Sequence, residues 1–391
     1  MYSNLGLVSS VGYAHLVKRV NVEIHSETDP FRHLDKMVRR MRAAREQWDA
    51  VRTLFIVVDG SPARHMDWDA IARNAQETAA ALTAMFPRVQ RLSFGTQAYQ
   101  PATDRFASCV AAHYAAQLRT LRSDRVIATP PEAVFRGLTA ATIIRSIRGD
   151  YRLPRIDPAE LRRLELEGWP DDHSWAAFSA DGDESRDIQF PRLRVLCLSS
   201  HQKPTTSWTD ESKRKGRLHF PALKVLKVKC GDCVPRVLEH GVFPARIDRV
   251  LNKPEIFAST PVTRLEVSTY INLDTMVALI RRLPRLSSLD IRRVDAPRIR
   301  SDVSVPEPGA DRLVEPISST LKSVCAAFDC DRKNPEPAVL TLKYLLLALP
   351  SLSGISAYDI PGDTMDGFVE DYADQYPHLA RLRINFHKRR C

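Results

Sequence analysis

Apolar residues recur along the chain in one template. An apolar residue is followed by Pro, and further apolar residues stand two, five and seven positions after that Pro. The clearest copies begin at Phe190-Pro191 and Phe220-Pro221, and four more begin at Phe86, Leu283, Leu349 and Tyr376. The last two apolar positions are two residues apart, so they point to the same face of a β-strand. The template therefore predicts a turn followed by a strand with one buried face.

Weaker copies keep the three apolar positions and shift or lose the Pro. Pro191 and Pro221 are 30 residues apart, and Pro350 and Pro377 are 27 apart. One such coil cannot bury its apolar side alone, whereas stacked coils share a continuous core. The weaker copies are Val51/Leu54/Ile56, Leu161/Leu164/Leu166, Val262/Leu265/Val267 and Leu321/Val324/Ala326.

Apolar residues at helical spacing precede several of these turns. They predict helices over 68–85, over 273–283, from Pro337 to Leu349 and over 363–375. The fold class predicted is α/β, a leucine-rich-repeat-like solenoid with a parallel strand ladder inside and helices outside. We expect one solenoid over 1–391, with an N-terminal capping strand and helix in 1–50, repeats in 51–385 and a basic tail in 386–391. The alternative is an ordinary α/β domain with coincidental Leu-Pro spacing.

Composition narrows the classes of protein without changing this fold. Lys and Arg number 57 and Asp and Glu 47, and acids interleave with bases along most of the chain. Seven cysteines lack the density of a secreted disulfide scaffold. The first residues lack a signal-peptide pattern, and no stretch approaches 18 apolar residues. We expect a cytoplasmic or nuclear protein with no membrane partner.

Most of the chain resembles the irregular leucine-rich-repeat region of fungal F-box-type proteins. The resemblance is carried by the Phe-Pro-x-Leu-x-x-Leu-x-Leu units at Phe190 and Phe220, by Tyr376-Pro377-His378-Leu379, and by segments 13–20 and 172–179. It implies the substrate-recruiting arm of a ubiquitin ligase, with ligase subunits as partners. The F-box itself is not seen. The Asn that usually follows the strand is also missing, because Ser199 and Lys229 stand after Leu198 and Val228.

Candidate chemistry is sparse. Cys230-Gly231-Asp232-Cys233 has the spacing of a zinc or redox pair, and Cys197 and His201 are the candidate remaining zinc ligands. We expect these cysteines to be structural thiols and predict no metal, with a zinc site as the alternative. Asp171-Asp172-His173 lacks a nucleophile, and no phosphate-binding or nucleophile-elbow motif occurs in the sequence. We therefore predict a non-catalytic protein without a cofactor.

The strand face opposite the buried positions is the predicted partner-binding site. Its side chains mix both charges, which suits a protein surface better than a nucleic-acid groove, so we expect a protein partner and not a nucleic acid. The alternative is a basic nuclear or nucleic-acid-associated scaffold, supported by a net charge of +10 and by basic runs at 39–42, 213–215 and 387–390. The predicted concave-face residues are Arg91, Ser93, Arg163, Glu165, Val195, Lys227, Arg264, Glu266, Asp290, Arg381 and Arg383.

Overall fold

A computed structural model provides the structure of the protein. It describes residues 18–25, 30–41, 48–59, 68–96, 101–123, 127, 133–144, 154–167, 177–179, 187–200, 218–230, 260–295, 305–310, 313–329, 335–360 and 362–387.

Strands and helices alternate through much of the described chain. The helices are α1 (Pro30–Met41), α2 (Trp68–Met85), α3 (Pro101–Tyr114), α4 (Leu273–Arg282), α5 (Glu336–Ala348) and α6 (Phe368–Tyr372). The strands are β1 (Arg19–His25), β2 (Thr53–Asp59), β3 (Arg91–Thr96), β4 (Thr120–Ser123), β5 (Val134–Phe135), β6 (Ala140–Ile144), β7 (Arg155–Ile156), β8 (Arg163–Glu167), β9 (Ile188–Gln189), β10 (Val195–Ser200), β11 (Leu218–His219), β12 (Val225–Cys230), β13 (Arg264–Asn272), β14 (Ser288–Asp295), β15 (Ser323–Asp329), β16 (Gly354–Tyr358) and β17 (Arg383–His387). Short 3-10 helices cover Pro158–Glu160, Gly362–Met365 and Pro377–Arg381.

The chain divides into two compact units. The first contains the described residues up to 193 together with 218–219, and its main strands pair in parallel in the order β1-β2-β3-β4-β6-β8. The second contains 194–200 and the described residues from 220 onward, and its strands pair in parallel in the order β10-β12-β13-β14-β15-β16-β17. The protein is therefore an α/β protein with extended parallel ladders, as the sequence predicts. One continuous solenoid over the whole chain stays a prediction.

The Pro of each template occupies a tight turn before its strand. The N–H of Leu223 donates to the Phe220 carbonyl oxygen at 3.2 Å, and that of Leu286 donates to the Leu283 oxygen at 2.9 Å. These are bonds between residues i and i+3, so Pro221 and Pro284 occupy position i+1 of a β-turn. The fixed φ of proline suits that position, and its missing N–H is not needed there. In these copies the recurrent Pro thus sets the turn that precedes the strand.

The apolar triplets form the core of both units. In the second unit Leu196, Leu226 and Leu289 are each at most 1% exposed and lie in one row across the parallel strands. In the first unit Leu54 and Leu92 lie opposite each other and are equally buried. The prediction that these side chains share an interior is confirmed. Every residue of the four weaker triplets is buried as well.

Helices of the first unit pack together through α2. Its predicted extent of 68–85 and its buried stripe Ile71, Ala75, Thr78, Leu82 and Met85 are confirmed. The Thr78 hydroxyl donates to the Phe31 carbonyl oxygen of α1 at 3.1 Å, and the rings of Phe31 and Phe106 lie 5.1 Å apart. Phe106 belongs to α3, a helix that the sequence patterns above did not predict.

The sequence patterns also did not predict two strands of the ladder, β4 and β6. Leu118, Leu121 and Ser123 line the core at β4, and Leu138, Ala141 and Ile143 do so at β6. Both copies lack the preceding apolar-Pro pair. A small or polar residue in the triplet further weakens their pattern, which is why they were not recognised.

The C-terminal region departs from prediction in two places. The single helix over 363–375 is wrong, because Gly367 adopts φ +75° and separates the Gly362–Met365 turn from α6. The strand of the last repeat begins two residues late. Ile384 and Phe386, rather than Leu382 and Ile384, lie opposite Ile355 and Ala357. Phe386 and His387 therefore belong to β17 rather than to a tail, and residues 388–391 lie outside the described chain.

Candidate functional site

Each ladder has an outer strand face made by the residues that alternate with the buried positions. In the second unit this outer strand face consists of two rows across neighbouring strands. The first row is Val195, Val225, Arg264, Ser288, Ser323, Gly354 and Arg383. The second row is Cys197, Lys227, Glu266, Asp290, Cys325, Ser356 and Asn385.

Glu266 lies at the centre of a charge cluster on this face. Lys227 lies opposite it on β12, with Nζ 2.5 Å from Oε2, and Arg264 on the same strand places Nε 2.9 Å from Oε1. The Glu266 side chain is 19% exposed, and that of Lys227 is 29% exposed. Both carboxylate oxygens are engaged by a cation, so the carboxylate is fixed in position while its edge still meets solvent.

Asp290 continues the same row toward Cys325. The Cys325 thiol is hydrogen-bonded to Asp290 and to Tyr358, and it is half-buried. Burial raises the pKa of this thiol, and the negative charge and hydrogen bond of Asp290 raise it further. The hydrogen bond of Tyr358 opposes this shift, and the net direction disfavours the reactive thiolate form of this cysteine.

The outer strand face of the first unit has four cations in its two corresponding rows, against three in the second unit. The four are Arg19, Arg91, Arg122 and Arg163. Arg91 is exposed and Ser93 is half-buried on β3. Arg163 and Glu165 on β8 form a salt bridge with 3.5 Å between Nη2 and Oε2. Arg91, Ser93, Arg163 and Glu165 all belong to outer rows of the ladder, as predicted.

Among the predicted concave-face residues, Arg381 is misplaced. It ends the 3-10 helix Pro377–Arg381, two residues before β17 begins. The insertion of this helical turn displaces Arg381 from the strand, although Arg383 does lie opposite Gly354 in the first row. Val195 and Asp290 are both half-buried and lie on the outer strand face, where the alternation predicts them.

The strand register separates two of the candidate zinc ligands. Cys197 lies opposite Lys227, whereas Cys230 lies opposite Ser200, three residues farther along the strand. Three residues of strand separate the backbone positions by about 10 Å, farther apart than two residues that share one zinc ion. No metal-binding group of His, Cys, Asp or Glu occurs among the described residues. Cys233 and His201 lie outside the described part of the chain.

Several other segments that the sequence singled out lie outside the described part of the chain. Segment 171–173, the run 213–215 and residues 388–390 fall outside the described residues. Arg39, in the run 39–42, places Nε 2.7 Å from Asp35 Oδ2 within α1. This pair is an ordinary exposed contact between residues i and i+4 of a helix. No helix that the structure describes is long and apolar enough to cross a membrane.

The sequence patterns overlooked the residues at which the strands begin. In the first unit the residue before each main strand and its first residue are rich in Lys and Arg. This enrichment becomes visible only once the strands are aligned by register, because the basic residues are about 20 to 40 positions apart in sequence. In comparisons with known proteins, no family model matches the chain, and no curated protein matches it significantly.

Proposed function

We propose that the protein is a non-catalytic protein-interaction module of the leucine-rich-repeat solenoid type, and that the outer strand face is its partner-binding surface. The observation that carries the proposal is the charge cluster of Lys227, Arg264 and Glu266 on adjacent strands. Alternating charges held at fixed positions offer a partner a specific electrostatic pattern.

Packing supports a rigid recognition surface. The side chains beneath this face, including Leu226 and Leu265, are fully buried and lie in register. A surface that is already ordered loses little conformational entropy when a partner binds. In this proposal the strand ladder is a rigid scaffold, and the outer side chains contact the partner.

Mixed charge favours a protein over a nucleic acid on this surface. Glu266 and Asp290 occupy neighbouring positions in the second row, where a phosphate backbone would approach them closely. Phosphate recognition favours uniformly basic surfaces. In line with the fungal F-box resemblance, we propose that the partner is a substrate protein recruited to a ubiquitin ligase.

Affinity purification with mass spectrometry tests the proposal. The wild-type protein and two variants serve as baits. The outer-face variant carries a double charge reversal, Lys227→Glu with Asp290→Lys, which leaves the net charge unchanged. Its control is Arg282→Glu with Glu370→Lys, on exposed positions of α4 and α6. We expect the partners retained by the wild-type and control proteins to be lost from the outer-face variant, and ligase subunits to be among the wild-type partners.

Equal recovery of every partner by the outer-face variant would overturn the binding surface. Recovery of outer-face-dependent partners without any ligase subunit would reject the ubiquitin-ligase role alone. Both variants are first compared with the wild-type protein by circular dichroism, so that loss of a partner reports on the surface and not on unfolding.

A further inference from the structure

A basic rim borders the ladder of the first unit. The strand-entry rim is defined by the residue before each main strand and the first residue of that strand. It comprises the pairs 18–19, 52–53, 90–91, 119–120, 139–140 and 162–163. Seven of these twelve positions are Lys or Arg and none is Asp or Glu.

This composition departs strongly from that of the chain. With 57 Lys and Arg in 391 residues, about two basic residues would be expected among twelve positions. A similar number of acids would be expected from the 47 Asp and Glu. The enrichment in one charge and the depletion of the other coincide at one edge of the ladder.

Backbone hydrogen bonds hold the rim in a regular array. The Arg52 carbonyl oxygen accepts from the N–H groups of Gln90 and Arg91, at 2.8 and 2.9 Å. The same two-donor arrangement recurs at Lys18, Gln90, Arg119 and Thr139. Each rim pair is therefore fixed to the next strand, at a spacing of about 4.8 Å. Six strands give a rim about 24 Å long.

Three cations on the rim remain available to a ligand. Lys18, Arg91 and Arg162 are exposed, and their side chains form no hydrogen bond or salt bridge within the described structure. Arg52 differs, because its guanidinium donates to the carbonyl oxygens of Asp49 and Val51 at 2.8 and 3.3 Å. Arg19, Arg119 and Arg163 are engaged as well, with Asn21 Oδ1, the Gly137 carbonyl oxygen and the Glu165 carboxylate. The rim thus combines three available cations with four that are structurally engaged.

We propose that the strand-entry rim of the first unit binds an extended acidic segment of a protein partner. This inference rests on the proposed protein-interaction function and assigns part of the partner's chemistry. A rim about 24 Å long matches about seven residues of extended polypeptide. Guanidinium groups pair with the carboxylates of such a segment through two parallel hydrogen bonds.

The adjoining surface favours a narrow polypeptide over nucleic acid. Glu165 on β8 and Glu23 on β1 lie on the same outer face, farther along their strands than the rim. A nucleic-acid duplex would extend from the rim over these residues and bring its phosphates close to their carboxylates. Single-stranded nucleic acids bind through aromatic stacking platforms. Among the described outer-row residues of this ladder, Phe55 is the one Phe, Tyr or Trp, and it is half-buried.

Fluorescence anisotropy with defined probes tests the rim. The full-length protein is titrated into labelled hepta-glutamate, hepta-glutamine and a poly-uridine oligonucleotide of the same charge as hepta-glutamate. The rim variant is Lys18→Gln with Arg91→Gln and Arg162→Gln. Its control, Lys36→Gln with Arg73→Gln and Arg105→Gln, removes one Lys and two Arg from exposed helix positions of the same unit.

We expect hepta-glutamate to bind the wild-type and control proteins about tenfold or more tightly than the rim variant, and hepta-glutamine not to bind. Equal affinity of the rim and control variants for hepta-glutamate, or no binding of it even at about 50 mM salt, would overturn the inference. Tighter, rim-dependent binding of the oligonucleotide would also overturn it, in favour of nucleic acid.

These outcomes are separate from those of the proposed function. Rim-dependent binding of hepta-glutamate without outer-face-dependent partners would leave the rim inference standing and reject the surface in the second unit. Outer-face-dependent partners without hepta-glutamate binding would reject the rim inference alone.

Discussion

Lys227 and Glu266 lie directly opposite each other on parallel strands, with 2.5 Å between Nζ and Oε2. Arg264 approaches the other carboxylate oxygen of Glu266 from the same strand, at 2.9 Å. The three side chains form one connected charge cluster above a fully buried row of leucines. The cluster fixes charges of both signs at adjacent positions of this face, because each oxygen of the Glu266 carboxylate contacts a cation.

Removing the carboxylate should affect stability only slightly. We expect Glu266→Ala to lower the free energy of unfolding by about 1 kcal/mol or less, because cross-strand and partly exposed ion pairs contribute little. Urea denaturation followed by circular dichroism measures this change. Glu315→Ala is the control, since that side chain is 87% exposed and 3.9 Å from Arg281. A loss above about 3 kcal/mol would give the cluster a structural role instead.

The buried row beneath the cluster should be far more sensitive. We expect Leu226→Ala to cost about 2 to 5 kcal/mol, because the side chain is fully buried and its removal leaves a cavity. Leu340→Ala is the control, since Leu340 is 36% exposed on α5. The comparison uses the same urea transition, and equal losses for both variants would contradict the assignment of Leu226 to the core.

Much of this core was predictable from the sequence because turn and strand signals coincide. At Phe220-Pro221 the Pro fixes the turn and the following apolar residues, Leu223, Leu226 and Val228, define the buried face. Where only one signal was present, as at Leu121 in β4, the strand was missed. The register of β17 was not predicted either, because the 3-10 helix Pro377–Arg381 shifts the start of the strand by two residues. The apolar periodicity contains no sign of this shift.

The candidate site was predictable only in part. Alternation along each strand placed Lys227 and Glu266 on the outer face, and the shared template gave them the same position in their coils, but it did not show that the two side chains form an ion pair. The strand-entry rim depends on such alignment, since Lys18 and Arg91 are 73 residues apart in sequence. Hydrogen bonds that cross between coils create this proximity, and they are not encoded in any local pattern.

Asp290 should control the reactivity of Cys325. We expect Asp290→Asn to lower the pKa of the Cys325 thiol, because it removes a negative charge that raises that pKa. Near pH 8 the rate of alkylation by iodoacetamide should then rise, because that rate follows the thiolate fraction. Peptide mapping by mass spectrometry gives the rate for each cysteine.

Cys109 serves as the internal control for that experiment. It is half-buried on α3 in the first unit, and burial raises the pKa of its thiol with an opposing contribution from Arg105. Asp290→Asn should leave the rate at Cys109 unchanged. An unchanged rate at Cys325 as well would contradict the contact between Asp290 and the thiol.

Tyr114 should make the stability of the protein depend on alkaline pH. Its buried hydroxyl donates to the Phe86 carbonyl oxygen at 2.8 Å, and burial raises the pKa of the phenol well above its usual value near 10. The stability contributed by the neutral phenol is fully present below pH 10 and is lost as the pH rises above it, because the unfolded chain ionises first.

Tyr114→Phe provides the matched comparison. We expect a loss of about 1 to 2 kcal/mol at neutral pH, because the Phe86 oxygen loses its side-chain donor. Above pH 10 the stability difference between the two proteins should shrink. Thermal unfolding followed across this pH range measures the effect, and a difference that grows above pH 10 would contradict the assigned shift.

Site-specific photocrosslinking tests the partner-binding surface most directly. Ser323 is exposed in the first row of the outer strand face, and Leu340 is exposed on α5 of the same unit. Each is replaced by p-benzoylphenylalanine and irradiated with the partner recovered by affinity purification. We expect the partner to crosslink at position 323 and not at position 340. Crosslinking at position 340 alone would contradict the assignment of the outer strand face as the binding surface.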